Sequence, residues 1–115
     1  MRERLAGYFE GDVKVLGSVA TAYVKKTADY TAKAGDSIIA VDATSGVVVI
    51  TLPAASGKEG RAYTIKKIDS SVNSVTVDGN GSETIDGVSA YSLSTQWKYV
   101  SIYCDGANWL ITANN

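Results

Sequence analysis

The sequence predicts an all-β protein built around one hydrophobic core. Short runs rich in Val, Ile, Thr and Tyr, which fit a pleated and half-buried surface, recur along the chain. Eleven glycines and one proline separate these runs, and turn signals return about every eight to twelve residues, as in a β-sandwich or barrel. The length of 115 residues suits a single core. We therefore expect a small β-sandwich or barrel-like lobe.

Each strand is predicted by apolar alternation between turn-forming residues. Val47–Leu52 is the most apolar run, and Pro53 ends it because proline has no N–H for a β-ladder. In the long strand Gln96–Cys104, one face carries Val100, Ile102 and Cys104. The alternation breaks at 66–68, which indicates a bulge or a strand end. The predicted strands are 30–32, 37–42, 47–52, 61–68, 75–77, 96–104 and 109–112, with short strands around Ile85, Val88, Tyr91 and Leu93.

The first 27 residues differ from the rest of the chain. Gly7, Gly11 and Gly17 divide them into pieces too short to form a core, and only Asp12–Val15 alternates at the period of a strand. An isolated strand is marginal in water, so this region needs a partner. We expect residues 1–27 to pack against the same segment of neighbouring chains, and residues 28–115 to form the β-rich lobe.

The charge balance argues against a nucleic-acid partner. Eleven basic and 12 acidic residues give a net charge of −1, whereas binding to the phosphate backbone favours a basic excess. Lys25–Lys26 and Lys66–Lys67 are each followed soon by an aspartate, and we interpret both doublets as solvated strand ends. No apolar run approaches the roughly 18 residues of a membrane span, so we expect no membrane insertion.

The absence of histidine limits the possible chemistry. No triad or metal site can use an imidazole, and the single cysteine, Cys104, cannot form an internal disulfide. Strand alternation places Cys104 beside Val100 and Ile102, which predicts a small buried hydrophobic residue. Trp109 is interpreted in the same way, as a core anchor.

Several segments together resemble a module of phage and prophage tail fibre and tailspike proteins. Their motifs are typical of a structural style rather than of an activity, and the resemblance covers most of residues 29–112 in order. Residues 7–17 are similar to the linker that precedes terminal domains of fibre proteins. The segments that carry the resemblance are 29–46, 49–55, 63–67, 75–79, 83–87 and 105–109.

The resemblance implies an intertwined homotrimer with β-rich lobes around a threefold axis. It brings no catalytic residues and no cofactor, so we expect a non-enzymatic structural or attachment module. Its place would be the virion tail fibre or, for a prophage remnant, the host cytoplasm before assembly. The chain is too short for a whole fibre with its shaft. We expect the threefold contact to include Val13, Val15, Leu16 and Val19.

The aromatic residues Trp97, Tyr99 and Tyr103 admit three interpretations. They form core or a subunit interface, as amphipathic aromatics usually do, or they form a platform for a host cell-surface glycan. The last possibility makes a receptor-binding tip the main alternative function. A polysaccharide-degrading tailspike fragment is a more distant one, since it needs a spaced carboxylate pair, and Asp78, Glu83 and Asp86 lie in loop-like sequence.

One stretch has oxygen-bearing side chains at nearly alternate positions. Asp78, Asn80, Ser82 and Asp86 form a weak candidate calcium site. Turn chemistry explains the same residues without a metal, and we expect none to bind.

Overall fold

The computed structural model describes residues 5–115, and every regular element in this range is a β-strand. The predicted all-β class is confirmed. No helix long and apolar enough to cross a membrane occurs in the described range. The strands are β1 (Tyr23–Lys26), β2 (Tyr30–Thr31), β3 (Ile38–Val41), β4 (Val48–Thr51), β5 (Ala62–Lys67), β6 (Val75–Asp78), β7 (Ala90–Leu93), β8 (Tyr99–Cys104) and β9 (Trp109–Asn114).

The strands form two mixed sheets that share one core. Sheet A has the order β1-β3-β5-β8-β9, and sheet B has the order β2-β4-β6-β7. From β1 to β6 the chain alternates between the two sheets, so β1, β3 and β5 pair in parallel in sheet A, while β2, β4 and β6 do so in sheet B. The chain from β1 to β6 thereby forms three stacked coils, each of which has one strand in sheet A and one in sheet B. The antiparallel strands β7, β8 and β9 complete the sheets.

The sequence predicted a small β-sandwich or barrel-like lobe without specifying how its strands are connected. Parallel strands need a long crossover connection, commonly a helix. Here each crossover is a strand of the opposite sheet, so β4 lies in the connection between β3 and β5. A turn that crosses between sheets uses the same Gly, Asp and Ser residues as a hairpin turn. The sequence therefore predicted where the turns lie, but not which strands pair with one another.

Inward-pointing aliphatic side chains of both sheets build the core. In β5 the inward positions are Tyr63, Ile65 and Lys67, all at most 1% exposed. The ring of Trp109 packs against Tyr63 with the centroids 5.5 Å apart. Full burial of one large apolar side chain contributes about 1.5–3 kcal/mol. The core consists of Ala32, Ile39, Val41, Ala43, Val48, Ile50, Leu52, Ala55, Tyr63, Ile65, Val75, Val77, Ile85, Leu93, Val100, Ile102, Cys104 and Trp109.

The predicted boundary at residues 27 and 28 falls between β1 and β2. β1 was not predicted, yet it pairs with β3 along its whole length and its Val24 packs against the core. The strand predicted at Asp12–Val15 does not form in the single chain. Residues 1–4 of the predicted N-terminal segment lie outside the described residues.

Gly79 lies where the chain leaves β6, in close contact with the backbone of Glu83. A Cβ at this position would overlap the Glu83 carbonyl oxygen, and backbone cannot move aside as a flexible side chain can. We expect Gly79→Ala to destabilise the fold by about 1–3 kcal/mol, measured by urea unfolding. Gly35→Ala is the matched control, because a Cβ there meets nothing within 4 Å. Equal stability of the two variants would contradict this prediction.

Candidate functional site

The N-terminal segment, residues 5–22, makes no strand and contributes no residue to the core of the lobe. Every residue from 5 to 23 is exposed. The four predicted contact residues keep more than half of their surface in solvent: Val13 59%, Val15 54%, Leu16 88% and Val19 66%. Tyr8 and Phe9 are exposed to a similar degree. A continuous series of exposed large apolar side chains is typical of an interaction surface.

The segment leads directly into β1, which is an edge strand of sheet A. One side of β1 is paired with β3, and no strand of the described chain pairs with the other side. At the opposite edge, residues 84–86 partly cover β9, because the Asp86 N–H donates to the Trp109 carbonyl over 3.0 Å. The N-terminal segment therefore joins sheet A at the more open of its two edges.

The outer face of sheet A carries small residues between aromatic ones. The register aligns Tyr23, Ile38, Thr64 and Ser101 in one row across four strands. The hydroxyls of Thr64 and Ser101 lie 2.8 Å apart and satisfy each other. Small side chains would let another backbone or sheet approach closely. The outer face consists of Tyr23, Lys25, Ile38, Ala40, Ala62, Thr64, Lys66, Tyr99, Ser101, Tyr103 and Leu110.

Trp97 is held in a strained backbone conformation. The sequence placed it within a long strand, but β8 begins only at Tyr99, and Trp97 lies in the preceding turn with φ of 73°. A non-glycine residue in this left-handed region costs about 1–2 kcal/mol. Hydrogen bonds from the Trp97 N–H to the Lys67 carbonyl (2.8 Å) and from Asn115 Nδ2 to the Trp97 carbonyl (3.2 Å) hold it there. The indole remains 54% exposed.

Lys66 joins Trp97 and Tyr99 into one cluster, and Tyr103 lies apart from it. The Lys66 Nζ is 5.9 Å from the centre of the Trp97 ring and 5.6 Å from that of Tyr99. Tyr103 lies four residues along β8, or about 13 Å away, and pairs with Ala62 instead. The structure thus brings together two of the three predicted aromatics. It excludes all three from the core of this chain.

A buried polar network lies beneath the turn between β5 and β6. The Lys67 Nζ donates to Asp69 Oδ2 (2.8 Å) and to the Asn73 carbonyl (2.7 Å), and Lys67 is fully buried. Asp69 Oδ1 accepts the Ala43 N–H over 2.7 Å, which ties this turn to the coil before it. The interpretation of Lys67 as a solvated strand end was wrong. Its alternation with Tyr63 and Ile65 was the signal, since it places Lys67 on the inward face.

The Asp69 carboxylate keeps a pKa well below its usual range. Desolvation, the largest single effect, raises the pKa, but hydrogen bonds from Lys67, from the Ser71 hydroxyl and from the backbone of Ala43 and Ser71 together outweigh it. The Ser71 hydroxyl donates to Asp69 Oδ2, which is the oxygen that also accepts from Lys67. The network is therefore a buried ion pair in which both charged groups have additional hydrogen-bond partners.

Two of the three acidic residues considered for catalysis, Glu83 and Asp86, accept hydrogen bonds from backbone groups. Both carboxylate oxygens of Glu83 accept the Ala55 N–H at 3.1 Å, and Asp86 Oδ1 accepts the Ile111 N–H at 2.9 Å. Asp78 lies on β6, in register with Thr51. Glu83 and Asp86 therefore make separate contacts that hold the backbone.

The candidate calcium residues also have other contacts. Asn80 Nδ2 donates to the Leu52 carbonyl over 3.4 Å, Asp86 bonds β9, and Ser82 is exposed. Within residues 5–115, no group of three or more Cys, Asp or Glu residues is placed to hold a metal ion.

Cys104 and Trp109 are both completely buried, as the sequence predicted. The Cys104 thiol donates to the Ala55 carbonyl over 3.3 Å, and desolvation by burial is the main cause that raises its pKa. A raised thiol pKa lowers the thiolate fraction and with it the reactivity. Cys104 is therefore a structural residue.

A shallow depression of about 410 Å³ lies between the turn that follows β1 and the turn that follows β3. Asp29 is the only charged residue in its lining, and its Oδ1 accepts the Val49 N–H over 2.8 Å. The depression therefore has few groups that could bind a ligand.

Comparison with protein-family models gives no match to this chain, and comparison with curated proteins likewise gives none.

Proposed function

We propose that this chain is a non-enzymatic structural or attachment module of a phage-type tail fibre, and that it acts by homotrimerisation. The resemblance of residues 29–112 to tail fibre modules supports the type of assembly and its threefold symmetry. In this proposal the module belongs to the virion, or to the host cytoplasm before assembly.

The observation that carries the proposal is the exposure of the N-terminal segment. Six of its large apolar side chains, on residues 8, 9, 13, 15, 16 and 19, are between 54% and 88% exposed in the single chain. Burying each of them against partner chains would contribute about 1.5–3 kcal/mol. This total is of the same size as the roughly 4–15 kcal/mol that association costs in lost translational and rotational freedom. None of these side chains belongs to the core of the lobe.

The lobe supports the same conclusion in a second way. The outer face of sheet A continues from the N-terminal segment through Tyr23 on β1, and it presents Ile38, Ala62 and Leu110 at the surface. A partner segment that lay across this face would extend the contact beyond the first 22 residues. Interdigitated segments and faces are what an intertwined trimer requires.

Measuring the molar mass in solution tests the proposal. Sedimentation equilibrium at micromolar concentration should give three times the chain mass of 12.1 kDa. Because trimerisation depends on concentration, the mass should fall only on strong dilution. A monomer at micromolar concentration would contradict the proposal, and a stable dimer would contradict its threefold symmetry.

A further inference from the structure

We propose that the open edge of β1 accepts residues 12–15 of a second copy as an added antiparallel strand, with Asp12 opposite Lys25. This inference rests on the proposed trimer, because it names the surface that receives the N-terminal segment of a neighbouring subunit. Three observations carry it: the direction of the backbone groups of β1, the strand period of residues 12–15, and the charges that the two strands bring together.

The first observation is the direction of the backbone groups of β1. The Asp42 N–H donates to the Lys26 carbonyl over 2.9 Å, so the backbone of Lys26 faces β3. Because this direction alternates along a strand, Tyr23 and Lys25 direct their N–H and carbonyl groups toward the open edge. Groups of this kind can pair with a strand of another chain.

The second observation is the strand period of residues 12–15. Polar and apolar side chains alternate over this segment, all of it is exposed, and it forms no strand in the single chain. A strand added to a sheet edge gains main-chain hydrogen bonds. On β1 it would place Val13 beside Val24, which packs against the core, so apolar surface of both residues would leave water.

The third observation selects the antiparallel direction. When Val13 lies opposite Val24, an antiparallel segment brings Asp12 opposite Lys25, which is exposed. A parallel segment with the same pair of valines would instead bring Lys14 beside Lys25. Opposite charges across two strands stabilise their pairing, and like charges destabilise it. The charges therefore favour the antiparallel segment.

The same register also matches the backbone groups of β1. Asp12 faces Lys25 and Lys14 faces Tyr23, and these are the two positions of β1 whose backbone points to the open edge. Both are therefore hydrogen-bonded pairs of an antiparallel ladder. The two valines between them form the other kind of pair, in which the Cα atoms are only about 4.5 Å apart and the side chains lie close together.

A second copy of the chain supplies the added strand. In the single chain no strand within residues 5–115 pairs with the open side of β1. When every copy gives one segment and accepts another, the contact joins two different surfaces. A contact of this type closes into a ring when its copies are related by a rotation axis, and the proposed trimer has a threefold axis.

Disulfide cross-linking between two variants tests the added strand. Val13→Cys and Val24→Cys are prepared separately, then unfolded and refolded together so that their subunits mix. We expect a covalent dimer of twice the chain mass of 12.1 kDa on a non-reducing gel, because the Cα separation of this pair suits a disulfide. Either variant alone should give much less dimer. Val72→Cys refolded with Val24→Cys is the control, because Val72 lies in a turn outside the proposed contact and is 96% exposed.

Charge reversal tests the register and does not depend on new cysteines. Lys25→Asp should raise the concentration at which half of the trimer dissociates by about threefold or more, because it places two carboxylates opposite each other. Asp12→Lys should have a similar effect, and the variant with both changes should recover association. Lys33→Asp reverses the same charge in an exposed turn and should leave association unchanged.

Two results would overturn the added strand while the trimer stands. One is a trimer mass without cross-linked dimer above the level of the control, and the other is a double charge variant as weak as its two single changes combined. A disulfide that forms only within one chain, when both cysteines are in the same chain, would overturn the role of the second copy. A monomeric mass for the unchanged protein would contradict the proposed function itself, so the two failures are distinguishable.

Discussion

Val15→Asp is expected to convert the proposed trimer into folded monomers. In the single chain Val15 is 54% exposed, so a carboxylate there can remain in contact with water. In the trimer the same group would be buried without a partner on all three subunits. Removing an unpaired charge from water costs several kcal/mol. A loss of about 3 kcal/mol per subunit lowers the association constant more than a hundredfold for each.

The measurement is the molar mass by sedimentation equilibrium, together with far-ultraviolet circular dichroism. Val72→Asp is the matched control, because Val72 lies in the turn between β5 and β6 and is 96% exposed. It introduces the same charge at a site that we do not place in the contact. An unchanged trimer mass for Val15→Asp would contradict the proposed interface. Loss of the β-sheet spectrum would show instead that the segment is required for folding of the lobe.

Asp69→Ala is expected to destabilise the lobe by about 3–5 kcal/mol. The substitution leaves the Lys67 ammonium fully buried without its carboxylate, and breaking one side of a buried pair costs this amount. It also leaves the Ala43 N–H without its acceptor. Domains of this kind are stable by only about 5–15 kcal/mol. Urea unfolding measures the difference.

Asp42→Ala is the control for this substitution, because Asp42 makes a similar turn contact with Thr44 near the surface. Its effect should be much smaller than that of Asp69→Ala. Equal effects would show that the buried charge pair has no special role. The double variant Lys67→Met, Asp69→Leu should recover part of the stability, since it removes both charges together.

The contribution of Asp69 depends on pH in a definite direction. Its pKa in the folded protein lies below the ordinary value of 3.8, so the folded state favours the charged form. The stabilisation is fully present above pH 3.8 and is lost as the pH falls below it. The difference in stability between the unchanged protein and Asp69→Ala should therefore shrink in acid. A difference that does not change with pH would contradict the assigned cause.

The elements of the lobe were largely predictable, and their pairing was not. Apolar runs and alternation identified β3, β4, β5, β6, β8 and β9, and in β4, β5, β6 and β8 buried residues do alternate with more exposed ones. β1 escaped prediction because Tyr23–Lys26 contains two lysines and a single half-buried valine. The parallel pairing has no local signal, since it joins residues such as Ile38 and Thr64 that lie far apart in the chain.

The candidate site was partly predictable for the same physical reason. Trp97 and Tyr99 were predicted as candidates because they are aromatic residues near the start of a strand. Lys66 was not included, because its position beside both rings follows from the pairing of β5 with β8. The exposure of Val13 and Leu16 followed from the glycines around them, which prevent a local core.

The open side of β1 has a consequence for how many copies can join. Free backbone groups on a strand edge can pair with a strand of another chain, which is a common route to aggregation. β1 carries Lys25 and Lys26 along this edge, and an identical edge would bring like charges together. Mutual repulsion of these lysines would oppose edge-to-edge pairing of two lobes, and the exposed apolar side chains upstream of β1 then remain as the contact in the proposed trimer.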